Sequence, residues 1–425
     1  MATPKEWLQR IEKGELDERF LLLYPSGIQE QKERYQNALN AYRARFGEED
    51  SVCLFSAPGR TEIGGNHTDH NNGRVLAGSV DLDVIAVASQ AEDNVAEVHS
   101  AQYPADRVSL SDLEPKKEEF GKSAALLRGV ARGLFNRGRN FGGFRAFTDS
   151  RVPKGSGVSS SAAFEVLIAS IQNHFYNDGI LSPMELASVG QFAEREFFGK
   201  PCGLMDQAAS ALGGIAMIDF GPEGAPQVTS VPFDFAASGY KLCLVTLGGD
   251  HADLTHLYAA IPQRMHRVAQ FFGKKYLNEI SLTECLSRLK EVRASCGDEA
   301  TLAALHFLRE TQRVPQEAEA LKKGDFPRFL SLVTASGHSS FEYLQNVFIP
   351  MENADQGAAI ALNLAEGILA GRGAARIHGG GFGGTTQNFV PEDLVPRFRE
   401  EMEAVFGDGS CHVLSIRPVG PVMWC

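Results

Sequence analysis

Apolar and polar positions alternate through Phe144, Ala146 and Thr148 against Arg145, Phe147 and Asp149, a period of two that predicts a strand with one buried face. Directly beyond it the period changes, because Phe164, Leu167, Ile168, Ile171 and Phe175 recur at helical spacing. The two patterns meet at Pro153-Lys154-Gly155-Ser156-Gly157-Val158-Ser159-Ser160-Ser161-Ala162-Ala163, so these small residues form a strand-to-helix turn. Such a turn lets backbone N–H groups close on an anion, and the helix start adds unpaired N–H groups and the positive end of its dipole. The stretch reads as a phosphate cradle; taken alone, a capped turn rich in small residues fits it as well. No Gly-Lys-Ser/Thr follows the glycines, so it is not a Walker loop.

The same periodicities divide the rest of the chain. Tyr35, Ala38, Leu39, Tyr42 and Phe46 mark the packing face of an N-terminal helix whose far side is charged. Val52-Cys53-Leu54-Phe55 is a short buried strand, and residues 75–88 read as one or two strands with their acids at strand ends. Helices are predicted over residues 126–135 and from Ser182, an N-cap ahead of Pro183, to about Phe198-Gly199. Gly-Pro-Glu-Gly and Ala-Ala-Ser-Gly, between about Gly221 and Gly239, interrupt the pattern and mark a domain boundary. Beyond it come a strand over residues 242–247, helices around 258–272, 302–311 and 355–369, and a closing strand–helix–strand.

Composition narrows the classes of function. With 425 residues, 43% of them apolar, the chain fills two or three cores. A formal charge of -12 argues against a nucleic-acid partner, which is bound through an excess of Lys and Arg. There is no run of 18 apolar residues and no apolar signal-peptide core, so a cytoplasmic protein with no membrane partner is expected. The seven cysteines are scattered with no C-x-x-C pair, and read as reduced thiols in the cores rather than a zinc site.

Two further stretches carry candidate chemistry. Between two apolar strands, Arg60, Glu62, His67, Asp69 and His70 crowd ionisable groups into a Gly/Asn-rich loop that ends at Gly73. This is either a solvated loop or a polyol site with donors and acceptors on short arms; a metal site from His67, Asp69 and His70 is disfavoured because their spacing sets them on no regular face. In Cys202-Gly203-Leu204-Met205-Asp206-Gln207, an aspartate sits among small and apolar residues and needs a partner. It is either a helix N-cap or the group that takes a substrate hydroxyl proton. A third stretch, Gly379-Gly380-Gly381-Phe382-Gly383-Gly384, satisfies G-x-G-x-x-G but precedes a strand, Thr385–Val390, instead of a helix, which argues against a dinucleotide site.

In this order and spacing, Pro58–Gly73, Pro153–Ala163, Cys202–Gln207 and the glycine loop resemble the GHMP small-molecule kinases, and within them the galactokinase branch. The resemblance implies a two-domain α/β (α+β) fold: helices over 1–50 packed on a ribosomal-protein-S5-like domain (51–230), then a ferredoxin-like α/β domain (231–425). It implies a cleft that binds ATP with Mg²⁺ and phosphorylates a sugar at its anomeric hydroxyl, in a monomer whose partners are small molecules. By the same resemblance Lys154, Gly155, Ser156, Gly157, Val158, Ser159, Ser160 and Ser161, with Gly380 and Gly381, hold ATP; Ser161 and Glu194 hold Mg²⁺. Asp206 and Arg60 are the catalytic pair, and Asn66, His67, Asp69, Gly203 and Tyr258 join Asp206 in holding the sugar. Three features depart from the branch: Asn66 stands where a glutamate that partners the sugar O6 is usual, Ile261 replaces a tyrosine with Tyr258 as the substitute, and an acidic pair near residues 339–347 is absent. Galactose is the expected substrate, with galacturonate, N-acetylgalactosamine or arabinose as alternatives and a non-catalytic sugar and ATP sensor as the third reading.

Overall fold

The computed structural model describes residues 2–101, 103–153, 157–221, 226–248, 254–351, 354–382 and 384–425. Two sheets organise it. The larger has eight strands: β1 (Cys53–Gly64), β2 (Arg74–Gln90), β3 (Val95–Ser100), β4 (Asp106–Ser109), β5 (Phe144–Ser150), β6 (Ile215–Asp219), β7 (Gln227–Ser230) and, from the far end of the chain, β12 (Val422–Trp424). They run in the order β12-β1-β2-β5-β3-β4, with β6 joined to β2 and β7 to β6. The smaller sheet, β11-β8-β10-β9, is built from β8 (Tyr240–Thr246), β9 (Ala374–Ile377), β10 (Thr385–Pro391) and β11 (Cys411–Leu414).

The predicted helices form where local chemistry specifies them. Ser182 caps the helix Pro183–Ala193, and the Glu185 side chain returns the bond to the Ser182 backbone, a reciprocal capping box with proline in the first turn. The helix continues through one wide turn, Glu194–Phe198, and stops at Gly199, whose φ of 84° suits a residue with no Cβ. Around the larger sheet, the helices Ser123–Phe135 and Ser160–Asn177 bury Leu126, Val130, Leu167 and Ile171 in one core. The helix Ile28–Phe46 and its N-terminal neighbours bury Trp7, Phe20, Tyr35 and Tyr42 in another, closed by Trp424 of β12.

Three expectations need correction. Strand β1 runs on through Arg60 and Glu62, so the first part of the predicted loop is strand; register shifts at Pro58/Arg60 and Glu62/Gly64 let it keep pairing with β2 across its glycines. Strand β2 is continuous, and Asp83 lies inside it, fully buried, instead of at a strand end. Its carboxylate is held by Arg34 (2.6 Å) and Arg417 (3.2 Å) and by the hydroxyls of Tyr24 and Ser56. Strand β7 lies between Gly221 and Gly239, and β12 pairs with β1 from the far end of the chain.

The third concerns the cysteines. Cys53 and Cys425 form a disulfide, because β1 and β12 pair Leu54 with Trp424 and so set the two cysteines across from one another with their Cα atoms 4.5 Å apart. No motif signals it, since 372 residues separate the partners. The other five cysteines are free.

Candidate active site

The 160–177 helix begins directly beneath the predicted phosphate loop. Ser159, at its N-cap position, has a φ of 58° and does not cap the helix; its hydroxyl donates instead to Asp206 Oδ2 at 2.6 Å. The first-turn N–H groups above Ser160 and Ser161 therefore take no bond from that side chain, the arrangement that receives phosphate oxygens. Val158 is buried and its carbonyl accepts from the Arg60 N–H at 3.1 Å, which ties the loop to β1. Lys154, Gly155 and Ser156 lie outside the described residues.

Asp206 is not a helix cap. It occupies the second position of the helix Met205–Leu212, where Leu204 stands at the cap. Arg60 grips its Oδ1 with Nε at 2.8 Å and a terminal nitrogen at 2.7 Å, while a second guanidinium nitrogen donates to the Gly157 carbonyl. Burial alone would raise the Asp206 carboxyl, but Arg60, Ser159 and Lys200 outweigh it and hold the group below the usual carboxylate range. The result is an ionised acceptor fixed beside the start of the 160–177 helix.

Ser161 and Glu194 also meet, with the serine hydroxyl donating to Glu194 Oε1 at 2.8 Å. Three residues that the sequence pattern does not assign surround them. Lys200 reaches the same oxygen at 3.0 Å, and the Gln207 amide donates to Glu194 Oε2 at 2.8 Å and to Glu165 Oε2 at 2.9 Å. Glu165 is fully buried, burial and the neighbouring Glu194 raise its pKa well above the ordinary value, and its other oxygen has no partner among the described residues. One signal for it exists in the chain: a glutamate on the apolar side of the 160–177 helix is costly unless something binds it.

The loop after β1 lines the same cleft. Arg60, Glu62, His67, Asp69, Gly203, Asp206 and Tyr258 all face it. His67 is buried with Nε2 at 3.0 Å from the Gly380 carbonyl, and burial lowers its pKa to about 3, so it is a neutral imidazole. Tyr258 bonds His70 at 2.8 Å and packs its ring where a Gly380 side chain would stand. Ile261, by contrast, points into a core. The His67, Asp69 and His70 side chains do not gather into a ligand cluster. Asn66 lies fully buried behind the cleft and does not line it. Gly381 is packed on Asn346, whose carbonyl a Cβ would meet at 2.1 Å. His378 is buried and its Nε2 accepts the Glu62 backbone N–H at 3.0 Å.

Gly203 decides how close Asp69 comes to the segment leading into the helix Met205–Leu212. A Cβ at this position would stand 1.6 Å from Asp69 Oδ2, so only glycine leaves the carboxylate its place. On the polyol-site reading of this loop, Gly203→Ala is expected to displace Asp69 and raise KM by about tenfold or more, the worth of one charge-assisted hydrogen bond, while the melting temperature holds. Steady-state kinetics beside a thermal melt checks both halves.

Comparison with known proteins agrees with this geometry. Residues 125–214 match the GHMP kinases N terminal domain, and residues 40–90 match the galactokinase galactose-binding signature. The chain is 32% identical to the galactokinase of Actinobacillus pleuropneumoniae serotype 3 (strain JL03), covering 86% of this chain and 91% of that one. The chain belongs to the galactokinase family. The galactokinase of Haemophilus influenzae is likewise 32% identical, over 86% of this chain and 92% of its own. Among solved structures, Lactococcus lactis galactokinase complexed with galactose superposes with a TM-score of 0.77 at 23% identity, covering 90% of this chain and 98% of that one. Methanococcus jannaschii mevalonate kinase gives 0.60 at 17% identity, over 87% and 99%. These galactokinase-family and wider GHMP likenesses establish the kinase fold and an ATP-dependent sugar kinase as the class of enzyme.

Proposed function

We propose that this galactokinase-family enzyme transfers the γ-phosphoryl group of ATP to the anomeric hydroxyl of galactose. The observation that carries the reading is the Asp206 carboxylate, held ionised by Arg60 and Ser159 at the junction of the phosphate cradle and the polar loop. Phosphoryl transfer asks for positioning and for positive charge around the transferring group, with one acceptor at the attacking hydroxyl. Asp206 supplies that acceptor. Arg60 and the N-terminus of the 160–177 helix supply the charge, and His67, Asp69 and Tyr258 orient the sugar.

The Ser161 hydroxyl and the Glu194 carboxylate, backed by a Glu165 oxygen with no partner among the described residues, offer the hard oxygen donors that suit Mg²⁺. When bound, the ion would neutralise charge on the nucleotide phosphates. We further propose a cytoplasmic monomer divided at about residue 230. No described helix is long and apolar enough to cross a membrane.

The test is ATP-dependent ADP release on galactose, galacturonate, N-acetylgalactosamine, glucose and arabinose at matched concentrations. A clear preference for galactose is expected. Preference for another sugar overturns the substrate, and ADP release from none of them, with binding retained, overturns the kinase reading in favour of a sensor.

A further inference from the structure

Asn66 has no hydrogen-bonding capacity left for a substrate. Its amide nitrogen donates to Glu62 Oε1 at 2.9 Å and to the Gly379 carbonyl at 2.7 Å, and its amide oxygen accepts from Asn346 at 2.8 Å and from Ser340 at 3.2 Å. A primary amide has two N–H donors and two lone pairs, so all four places are taken. The side chain joins β1, the glycine loop and the segment after residue 339 into one unit and is fully buried.

Glu62 is the reverse case. It lines the cleft that Asn66 does not. Both described bonds to its carboxylate, from Asn66 and from the Arg376 guanidinium, fall on Oε1, and among the described residues none falls on Oε2. Arg376 is itself immobile, being fully buried and bonded to the Ile63 carbonyl at 2.7 Å and the Ile377 carbonyl at 3.1 Å. The carboxylate is thus fixed on a strand by one oxygen while the other stays open toward the cleft.

We propose that Glu62 is a sugar-binding, specificity-determining residue: its free oxygen accepts a hydroxyl of the sugar other than the one served by Asp206. This assignment rests on the galactokinase reading and says which carboxylate does what Asn66 cannot. A fixed, buried acceptor with an open lone pair discriminates strongly, because a substrate lacking the matching hydroxyl leaves it unpaired.

The test is a coupling measurement. Galactose and its 2-, 3-, 4- and 6-deoxy analogues are assayed with wild type, Glu62→Gln and Glu62→Asp; the aspartate keeps a charge for Arg376 but withdraws it by one methylene. For galactose, either variant is expected to raise KM by about 10- to 100-fold with kcat nearly unchanged. For one deoxy analogue, the one missing the partner hydroxyl, the penalty should vanish. Where the glutamine variant does not fold, the aspartate variant alone decides. Equal losses on every analogue mean that Glu62 acts only through Arg376 and overturn the assignment while leaving the galactokinase reading intact. A wild-type enzyme that turns over no sugar of the series overturns that reading and this assignment together.

Discussion

Asp206→Asn lowers kcat by about 10²- to 10⁴-fold, the usual worth of a positioned proton acceptor, and leaves sugar affinity within a few fold. The separation follows from the contacts. Asparagine keeps the volume of aspartate, its amide oxygen still faces the two Arg60 nitrogens, and its amide nitrogen meets Ser159, whose hydroxyl turns from donor to acceptor. Shape and partners survive; the proton acceptor does not. The wild-type pH profile carries the same information. Because Arg60 and Ser159 overcome burial to hold the Asp206 carboxyl below its ordinary range, the acid limb assigned to this group should lie below the usual aspartate value of about 3.9. Single-turnover rates with isothermal titration of the sugar separate the two effects, and a variant within tenfold of wild type would remove Asp206 from the chemistry.

The second large effect is on stability. Replacing Asp83 by asparagine is expected to cost about 3–5 kcal/mol, because it leaves the buried guanidinium groups of Arg34 and Arg417 without their shared charge. Arg34 retains Asp149 at 2.5 Å, whereas Arg417 has no other described carboxylate. Burial raises the Asp83 carboxyl, yet Arg34 and Arg417, helped by Ser56 and Tyr24, bring it below the ordinary value. A depressed pKa places this stabilisation above the unfolded value of about 3.9 and removes it as pH falls through the lower, folded value. The Asn variant should therefore lose the acid transition attributable to this group as well as neutral-pH stability. Denaturant unfolding of Asp83→Asn beside Asp149→Asn, whose carboxylate is partly exposed, provides the comparison. Equal midpoints for the two variants would show that the fully buried carboxylate contributes no more than the partly exposed one.

What the chain reveals follows the range of the interactions. The N-cap at Ser182 with Pro183 behind it and the alternation of β5 are local, and the structure reproduces them. The motifs at Arg60, Ser159 and Asp206 are legible because runs of glycine and serine, and a lone aspartate in apolar surroundings, are costly to fold unless they hold a ligand or a partner. Their meeting at 2.6–2.8 Å, however, depends on the fold. The pattern misplaces Asp83 because its partners come from residues 24, 34, 56 and 417. It gives Asn66 to the sugar because the motif neighbours face the cleft, while the side chain's true partners at 340, 346 and 379 are invisible along the chain. The Cys53–Cys425 pair escapes for the same reason.

Strand β12 adds a constraint on when the larger sheet becomes complete. Trp424 packs against Phe20 and Tyr35, and Arg417 neutralises Asp83, so a domain whose other strands end at Ser230 waits for residues made almost two hundred positions later. At ribosomal speeds of about 5–20 residues per second, that delay is roughly 10 to 40 seconds. During it the nascent chain carries an open β1 edge and a half-paired buried aspartate, the state in which chaperone capture or aggregation would act on this enzyme.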